Sequence, residues 1–346
     1  MMILPYAVAI LLWISIILYA ALEGADFGGG LWDFLATGPQ KKEMRNLIKS
    51  AIAPVWEANN VWLTFLIVGL LTAFPIAIQL LATALFIPFV LILIGIVLRG
   101  ATFVFRSFSS QSAFQEAWGR AFSIASIITP FLFGTVAAAV ASGALRIVNG
   151  QMPVGLIRAW LTPFAIVVGL MGIALSATIS AVYLTVEAQE QNEQKLTESF
   201  RWRALLAGSC MAVLGLVGLL LATSEAPILW HGLLDHAIWA VIITMLLGIA
   251  VGASLFYRRF HLARVLMSME TGAMIGAWGL AQLPYIIPPD LTITGAASPP
   301  TTLLAFFITA LIGMSMLIPA LWFLFHVFKG DNIIPPVHGK IVEEEA

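Results

Sequence analysis

ILPYAVAILLWISIILYAAL, residues 3–22, contains no charged side chain. A helix that crosses a bilayer needs about 20 mostly apolar residues, and this segment meets that length. It also lacks the basic n-region of a secretory signal, so we interpret it as a retained first membrane helix. The whole chain has the same character, being 60% hydrophobic and only 10% charged with a mean hydropathy of +0.98. Soluble domains carry about 25% charged residues, so a soluble fold is excluded.

The length criterion predicts nine membrane helices along the chain. They span residues 3–22, 57–74, 77–104, 119–142, 158–185, 203–223, 233–255, 264–287 and 302–328. Prolines inside four of these spans predict bends rather than breaks, because neighbouring helices can satisfy the freed backbone groups. They are Pro88, Pro130, Pro163 and Pro319. The sequence therefore predicts an all-α polytopic membrane protein, a single transmembrane domain over 1–346, with two four-helix bundles, one peripheral helix and a cytoplasmic tail at 329–346.

The basic residues predict the orientation of the chain. Lys and Arg accumulate in cytoplasmic loops, and under strict alternation of nine spans all 17 except Arg146 and Arg158 fall on one side. The N-terminus is therefore expected outside and the C-terminus in the cytoplasm. One cysteine, Cys210, excludes an internal disulfide, and a net charge of -1 makes nucleic acid an unsuitable partner.

Two acidic motifs are the candidates for chemistry. EGADFGGG at 23–30 follows the first span, and IAPVWEANNVW at 52–62 opens the second. Glu23 and Asp26 share a face if the first helix continues through them, and the glycines then let the backbone open or pack closely. Glu57 stands in a first turn, where the helix dipole favours a carboxylate.

The predicted topology brings both motifs to the cytoplasmic end of the first helix pair. Clustered, partly buried carboxylates can relay protons, so Glu23, Asp26 and Glu57 are candidates for proton uptake. The spacing equally allows Asp26 and Glu57 to cap helices or bridge to Lys49 or Arg45. Both readings stay open on the residues alone.

Another acid, Glu270, lies inside the eighth predicted span and should face protein rather than lipid. It could carry protons or pair with an arginine such as Arg99. No metal site is expected, because the spacing of His231 and His236 near Asp235 does not place them on one helical face. No histidine lies mid-span, so we expect no haem ligand in this chain, and no nucleophile motif indicates a catalytic residue of its own.

Both motifs resemble subunit II of cytochrome bd-type quinol oxidases. The 52–62 stretch is similar to that family's most characteristic segment, and residues 98–106, with Arg99, are similar as well. Nine helices and a chain of 346 residues also suit the family, although the motifs are dense only over residues 20–106.

The resemblance implies a heterodimer with a haem-bearing subunit I in the bacterial inner membrane, sometimes joined by a small single-helix subunit. The complex would oxidise quinol and reduce dioxygen to water with cytoplasmic protons, and subunit I would hold haems b and d. This chain would be non-catalytic alone. Glu57, with Glu23 and Asp26, would form the proton path, with Trp56, Asn60 and Arg99 as supporting residues. Glu270 matches no motif of the family and is a supporting candidate on its position alone. Some members hold a structural quinone in this subunit.

Two other functions compete with the oxidase subunit. A proton-coupled secondary transporter would also explain intramembrane acids, but transporters break helices near a mid-membrane substrate site. The acidic motifs here lie at predicted helix ends, which counts against a transporter. A purely structural scaffold, whose acids only bridge loops, is the third possibility.

Overall fold

The computed structural model describes residues 3–52, 56–108, 112–148, 150, 152 and 157–329, without the side chains of 52, 56–58, 103–108, 112–116, 158 and 324–329. The chain divides into two compact units, Met1–Phe306 and Phe307–Ala346. Its elements in order are α1 (Ile3–Phe34), α2 (Lys41–Ile52), α3 (Trp56–Ala73), α4 (Pro75–Ala84), α5 (Phe86–Phe108), α6 (Ser112–Ala141), α7 (Ile157–Trp160), α8 (Pro163–Glu190), α9 (Gln194–Glu225), α10 (Pro227–Asp235), α11 (Ile238–Phe256), α12 (Phe260–Gln282), β1 (Tyr285–Ile287), β2 (Leu291–Thr292), α13 (Ile293–Ala296) and α14 (Pro300–Lys329).

Helix α1 continues to Phe34, well past its predicted end at residue 22. The glycines of the first acidic motif are part of the helix, and their missing side chains let neighbouring helices approach closely. A Cβ on Gly28 would overlap the Ser176 backbone of α8, and one on Gly30 would overlap Ser126 of α6. The sequence allowed these glycines either to open the backbone or to pack closely, and the structure shows close packing. The acidic motif therefore lies within a helix. The sequence had predicted that the motif lies at the end of that helix.

The third predicted span, 77–104, is divided. Helix α3 ends at Ala73, α4 begins at Pro75 with an axis bent by 114° from that of α3, and α5 begins at Phe86. Pro88 lies in the first turn of α5, where a helix does not need the missing N–H. The proline therefore belongs to the start of a new helix rather than to a bend in a continuous one. Ser298 closes the α3–α4 break by donating to the carbonyls of Thr72 and Ala73.

The seventh and eighth predicted spans also differ from the structure. The chain that was expected to form one helix over 233–255 breaks between α10 and α11, after Asp235. The expected helix 264–287 begins earlier, at Phe260, and ends at Gln282. Pro284 cannot continue a helix, and the chain instead forms an antiparallel pair of strands, β1 and β2. The fold is thus mostly helical, with one small hairpin.

Six helices of the described chain are long and apolar enough to cross a membrane. They are Ile3–Phe34, Ala117–Ala141, Pro163–Glu190, Gln194–Glu225, Ile238–Phe256 and Pro300–Phe323. The bent pair Asn59–Ala73 and Pro75–Ala84 makes a seventh if it counts as one span. The predicted number of nine spans is therefore not confirmed. Helix α5 is apolar but short over its described side chains, and α12 carries charged residues that lower its hydropathy.

Helix α8 lies at the centre of the first unit, packed against α1, α6, α9 and α12. Its buried side chains, such as Ile179 and Val182, join Phe200 of α9 and Met267 of α12 in one core. The amphipathic helix α2 closes this core at one end by burying Met44, Leu47 and Ile48. Because α8 and α12 pack directly on α1, this arrangement does not confirm two separate four-helix bundles.

Polar contacts group the loops at two ends of the first unit. At one end, Arg45 of α2 pairs with Asp33 of α1, and Arg203 of α9 donates to Met44. At the other end, Arg146 pairs with Asp290, and Gly232 lies against the backbone of Ala281. Two segments that are predicted to face the cytoplasm, α2 and the N-terminal part of α9, therefore share the first end.

The second unit contains the later part of α14. Its described side chains include exposed apolar residues, among them Ile312, Met316 and Trp322. Such an apolar surface is the kind that lipid or another membrane subunit covers.

Candidate functional site

A series of buried polar side chains follows one face of α1. Tyr19, Glu23, Asp26 and Asp33 are all buried, and their spacings of three, four and seven residues keep them on the same side of a helix. With a rise of about 1.5 Å per residue, the carboxyls from Asp33 to Glu23 cover about 15 Å of the helix axis. Buried ionisable groups in a membrane protein usually serve a pathway or a partner. We call these four residues the α1 polar face.

Glu23 forms an ion pair with Arg99 of α5. The Arg99 Nη1 donates to Glu23 Oε1, and the two residues are 6% and 2% exposed. The guanidinium carbon also lies 4.2 Å from the ring centre of Phe27 and 5.5 Å from that of Phe122. These rings shield the pair from water and favour its cation. The sequence proposed Glu270 as a partner for Arg99, which is wrong, because α12 packs on α1, α8 and α11 while α5 packs on α6.

Asp26 connects α1 with α3. The amide Nδ2 of Asn59 donates to Asp26 Oδ2 at 2.8 Å, and both residues are buried. The backbone of Glu57 lies in the first turn of α3, two residues before Asn59. The side chains of Glu57 and Trp56 lie outside the described residues. The start of the second acidic motif therefore meets the first motif at Asp26, and Asn60 follows on α3.

Asp33 is the member of the α1 polar face closest to the loops. Its Oδ1 pairs with Arg45 Nε of α2 at 3.2 Å, and Ser123 of α6 donates to its Oδ2 at 3.4 Å. The Arg45 side chain is 34% exposed, whereas that of Asp33 is 4% exposed. Arg45 thus stands between a buried carboxyl and the loop end of the unit. The sequence had considered Arg45 as a bridge to Asp26, but its partner is Asp33.

Several buried polar atoms around this face have no hydrogen-bond partner among the described residues. They are the Tyr19 hydroxyl, Glu23 Oε2, Arg99 Nε, Thr102 Oγ1 and Ser126 Oγ. Buried polar groups in folded proteins are nearly always hydrogen-bonded to protein or to ordered water. The site therefore combines fixed ion pairs with buried groups that remain able to bind water.

Sequence reasoning missed Tyr19, Asn59 and Asp33 as members of the site. The signal was available, since Tyr19, Glu23, Asp26 and Asp33 repeat at helical spacing. It was overlooked because the first helix was ended at residue 22, which placed Asp33 in a loop. Nothing in the sequence indicates that Asn59, rather than a charged residue, is the partner of Asp26.

Glu270 lies apart from this site, against Gly248 of α11. Three histidines have described side chains, and all three are exposed: His231 lies within the short helix α10, His236 follows its last residue, and His261 lies in the first turn of α12. No group of three metal-binding side chains occurs among the residues that the structure describes. The described histidines therefore do not suit an axial haem site inside the helices.

Comparisons with known proteins agree with this arrangement of helices. The chain is 25% identical over 334 residues to the putative cytochrome bd menaquinol oxidase subunit II of Bacillus subtilis, covering 93% of this chain and 94% of that protein. It is 25% identical over 210 residues to the cytochrome bd-I ubiquinol oxidase subunit 2 of Escherichia coli K12, covering 60% of this chain and 55% of that protein.

A solved structure shows the same fold. It is the bd oxidase from Geobacillus thermodenitrificans, with a TM-score of 0.76 at 21% identity, covering 95% of this chain and 99% of the matched chain. Residues 4–328 match the family described as cytochrome bd terminal oxidase subunit II. The chain therefore belongs to the cytochrome bd terminal oxidase subunit II family.

Proposed function

We propose that this chain stabilises a haem-bearing subunit I within a membrane quinol oxidase and supplies cytoplasmic protons for the reduction of dioxygen to water. Family membership makes the chain a subunit of such an oxidase. The names of its relatives, a menaquinol oxidase and a ubiquinol oxidase, support a quinol as electron donor. The proposed location of this chain is the bacterial cell (inner) membrane.

The observation that carries the proton role is the row of buried carboxyls on α1. Asp33, Asp26 and Glu23 lead from the loop end of the unit toward the middle of the helices. The loop end is where the predicted orientation places the cytoplasm. A scaffold needs no such row, because replacing a buried ion pair by apolar side chains is often neutral or stabilising.

Each carboxyl has a separate part in the proposed path. Asp33, beside the half-exposed Arg45, receives a proton from the aqueous side. Asp26 holds it next, while the Asn59 amide fixes the orientation of its carboxyl. At Glu23, Oε1 is held by Arg99, and Oε2 is left to exchange a proton with water or with the next group. Ordered water beside Tyr19 and Thr102 would bridge the gaps between these side chains.

Glu57 is proposed as a further member of the path. Its position in the first turn of α3, two residues before Asn59, supports this role. A carboxyl in this turn can exchange protons close to Asp26. Trp56 and Asn60, its neighbours on α3, would shape the site.

Haems b and d are proposed to belong to subunit I, which agrees with the exposed positions of the described histidines here. Haem supplies the oxygen chemistry, and this chain's own residues hold and move protons toward it. A small single-helix subunit and membrane lipid are further proposed partners. A structural quinone in this chain also remains a proposal.

The test compares conservative variants in the purified complex. Asp26→Asn keeps an acceptor for Asn59 but cannot carry a proton, and Glu57→Gln removes a second proposed carrier. We expect oxygen consumption with a soluble quinol to fall by about tenfold or more in each, with unchanged haem spectra. Glu43→Gln changes an exposed acid on α2 and should leave turnover unchanged. Full turnover in both path variants would favour the scaffold.

A further inference from the structure

Glu270 is a buried carboxyl that the proposed path does not use. It is 7% exposed and lies near the middle of α12, which runs from Phe260 to Gln282. The sequence placed it nearer the cytoplasmic end, because the helix was expected to begin at residue 264. Its position is therefore in the middle of a helix that packs against three candidate membrane helices, α1, α8 and α11, where an ionisable group is costly.

No residue in the described part of the chain balances a charge on Glu270. The carboxyl forms neither an ion pair nor a hydrogen bond with any of them. A buried carboxylate without a partner loses its hydration and gains nothing in return, so such a group tends to stay neutral. An apolar side chain would fill the same space at lower cost.

The carboxyl faces α11 at a glycine. A Cβ on Gly248 would lie 2.8 Å from Glu270 Oε1, 3.4 Å from Cδ and 3.8 Å from Oε2. Because Gly248 has no side chain, the Glu270 carboxyl can occupy this space. One turn further along α11, a Cβ on Gly252 would have no atom within 4 Å.

The elements that pack on α12 bring no charge to this place. Helix α11 contains no ionisable residue between Ile238 and Phe256. On α8, the Tyr183 hydroxyl is bonded to Ser268 and its ring lies under Arg264. On α1, Glu23 is paired with Arg99 of α5, Asp26 accepts from Asn59 of α3, and Tyr19 packs against Phe133 of α6. On α10, His231 is bonded to the carbonyl of Pro227.

We propose that Glu270 is a second proton-binding site, separate from the α1 polar face, whose carboxyl carries its proton at neutral pH in the resting complex. Its burial, its lack of a partner and the space at Gly248 support this assignment. The site does not depend on the proton path proposed for Glu23, Asp26 and Glu57. Its test therefore reads the protonation of one carboxyl and not turnover.

Infrared spectroscopy of the purified complex at neutral pH distinguishes a neutral carboxyl from a carboxylate. We expect the spectrum of Glu270→Gln to lose carboxylic-acid carbonyl absorption with the intensity of one carboxyl group per chain. Glu190→Gln, which changes an exposed acid, should lose carboxylate absorption instead. If Glu270→Gln also loses only carboxylate absorption, the proposal is wrong.

A glycine pair provides the second measurement if Glu270→Gln does not assemble. Gly248→Ala places a methyl group against the carboxyl, so the acid band should shift in frequency. Gly252→Ala makes the same change on the same helix, away from Glu270, and should leave the band in place. Identical acid bands in the two alanine variants would overturn the assignment.

Discussion

The Glu23–Arg99 pair is the residue-level feature that most depends on its surroundings. Both side chains are buried, and two aromatic rings lie beside the guanidinium. A buried pair of this kind contributes little relative to apolar residues, but removing one partner leaves an uncompensated charge. The pair is therefore better explained by a need for a charged group at this depth than by stability.

Arg99→Gln should destabilise the complex strongly, by about 3 kcal/mol, because it leaves the Glu23 carboxylate buried without a cation. Glu23→Gln combined with Arg99→Gln should recover part of this loss, because no charge then remains. Thermal unfolding of the purified complex measures both effects. Strictly additive losses would show that the two side chains do not depend on each other.

Close approach between helices is the main feature at the level of the elements. Gly28 of α1 lets the Ser176 backbone of α8 come near, and Gly134 of α6 does the same for Val168 of α8. Small residues have this role in membrane proteins because helix association there relies on van der Waals packing. The glycines of the first acidic motif thus hold α1, with its carboxyls, against α8 and α6.

Gly28→Ala should lower the melting temperature of the complex, because a methyl group there would overlap the Ser176 carbonyl. We expect a cost of about 1–3 kcal/mol from the forced shift of α1. Gly276→Ala on α12 is the matched control, since its Cβ would have no atom within 4 Å. An equal melting temperature for the two variants would contradict this account of the packing.

The loop before β2 is joined to the segment after α6 by Asp290. Its Oδ2 accepts from the Ile147 backbone N–H at 2.7 Å and from Arg146 Nε at 3.0 Å. These donors, the backbone N–H first, lower the pKa of Asp290 below its usual value. A lowered pKa means that the contact contributes fully above the usual aspartate range, about pH 3.9, and is lost only as the pH falls through the lower folded value.

Hydrogen exchange tests the Asp290 contact. The Ile147 amide should stay protected at neutral pH and lose protection only in strong acid. Asp290→Ala should remove that protection at every pH, whereas Arg146→Gln should weaken it less, because the backbone donor remains. If the two variants exchange equally fast, the Arg146 side chain would be the main support of the contact.

At the scale of the whole molecule, the loops fall into two groups at opposite ends of the first unit. One group contains α2, with Lys41, Lys42, Arg45 and Lys49, the α11–α12 connection, with Arg258 and Arg259, and the α8–α9 connection. The other contains the Arg146–Asp290 contact and the approach of Gly232 in α10 to the backbone of Ala281. The alternation that the charges predict over nine spans stays a prediction, because fewer than nine helices of the described chain meet the criterion for a membrane span.

Labelling of single cysteines tests the orientation, in a background where Cys210 is replaced by Ser. A membrane-impermeant maleimide should reach Asp235→Cys in intact cells. It should reach Lys42→Cys and Glu193→Cys only after the membrane is opened. All three positions are exposed in the structure. If Lys42→Cys were labelled in intact cells, α2 would face the outside, and the proposed direction of proton uptake would be wrong.

The sequence by itself determined that the protein lies in a membrane, because the free energy of burying apolar segments depends on composition and length alone. It also pointed to the acids Glu23 and Asp26, since ionisable residues beside apolar spans are few. The motifs at 23–30, 52–62 and 98–106 identified the family, which the comparison over residues 4–328 then confirmed.

Only the tertiary structure decided which groups meet. The continuation of α1 to Phe34 depends on helices that pack on its glycines, and the α3–α4 break depends on a neighbouring loop that satisfies Thr72 and Ala73. The partners of Glu23 and Asp26 come from α5 and α3, far along the chain. Hydropathy and spacing act over a few turns of one helix, whereas these contacts arise from the packing of helices that local sequence does not specify.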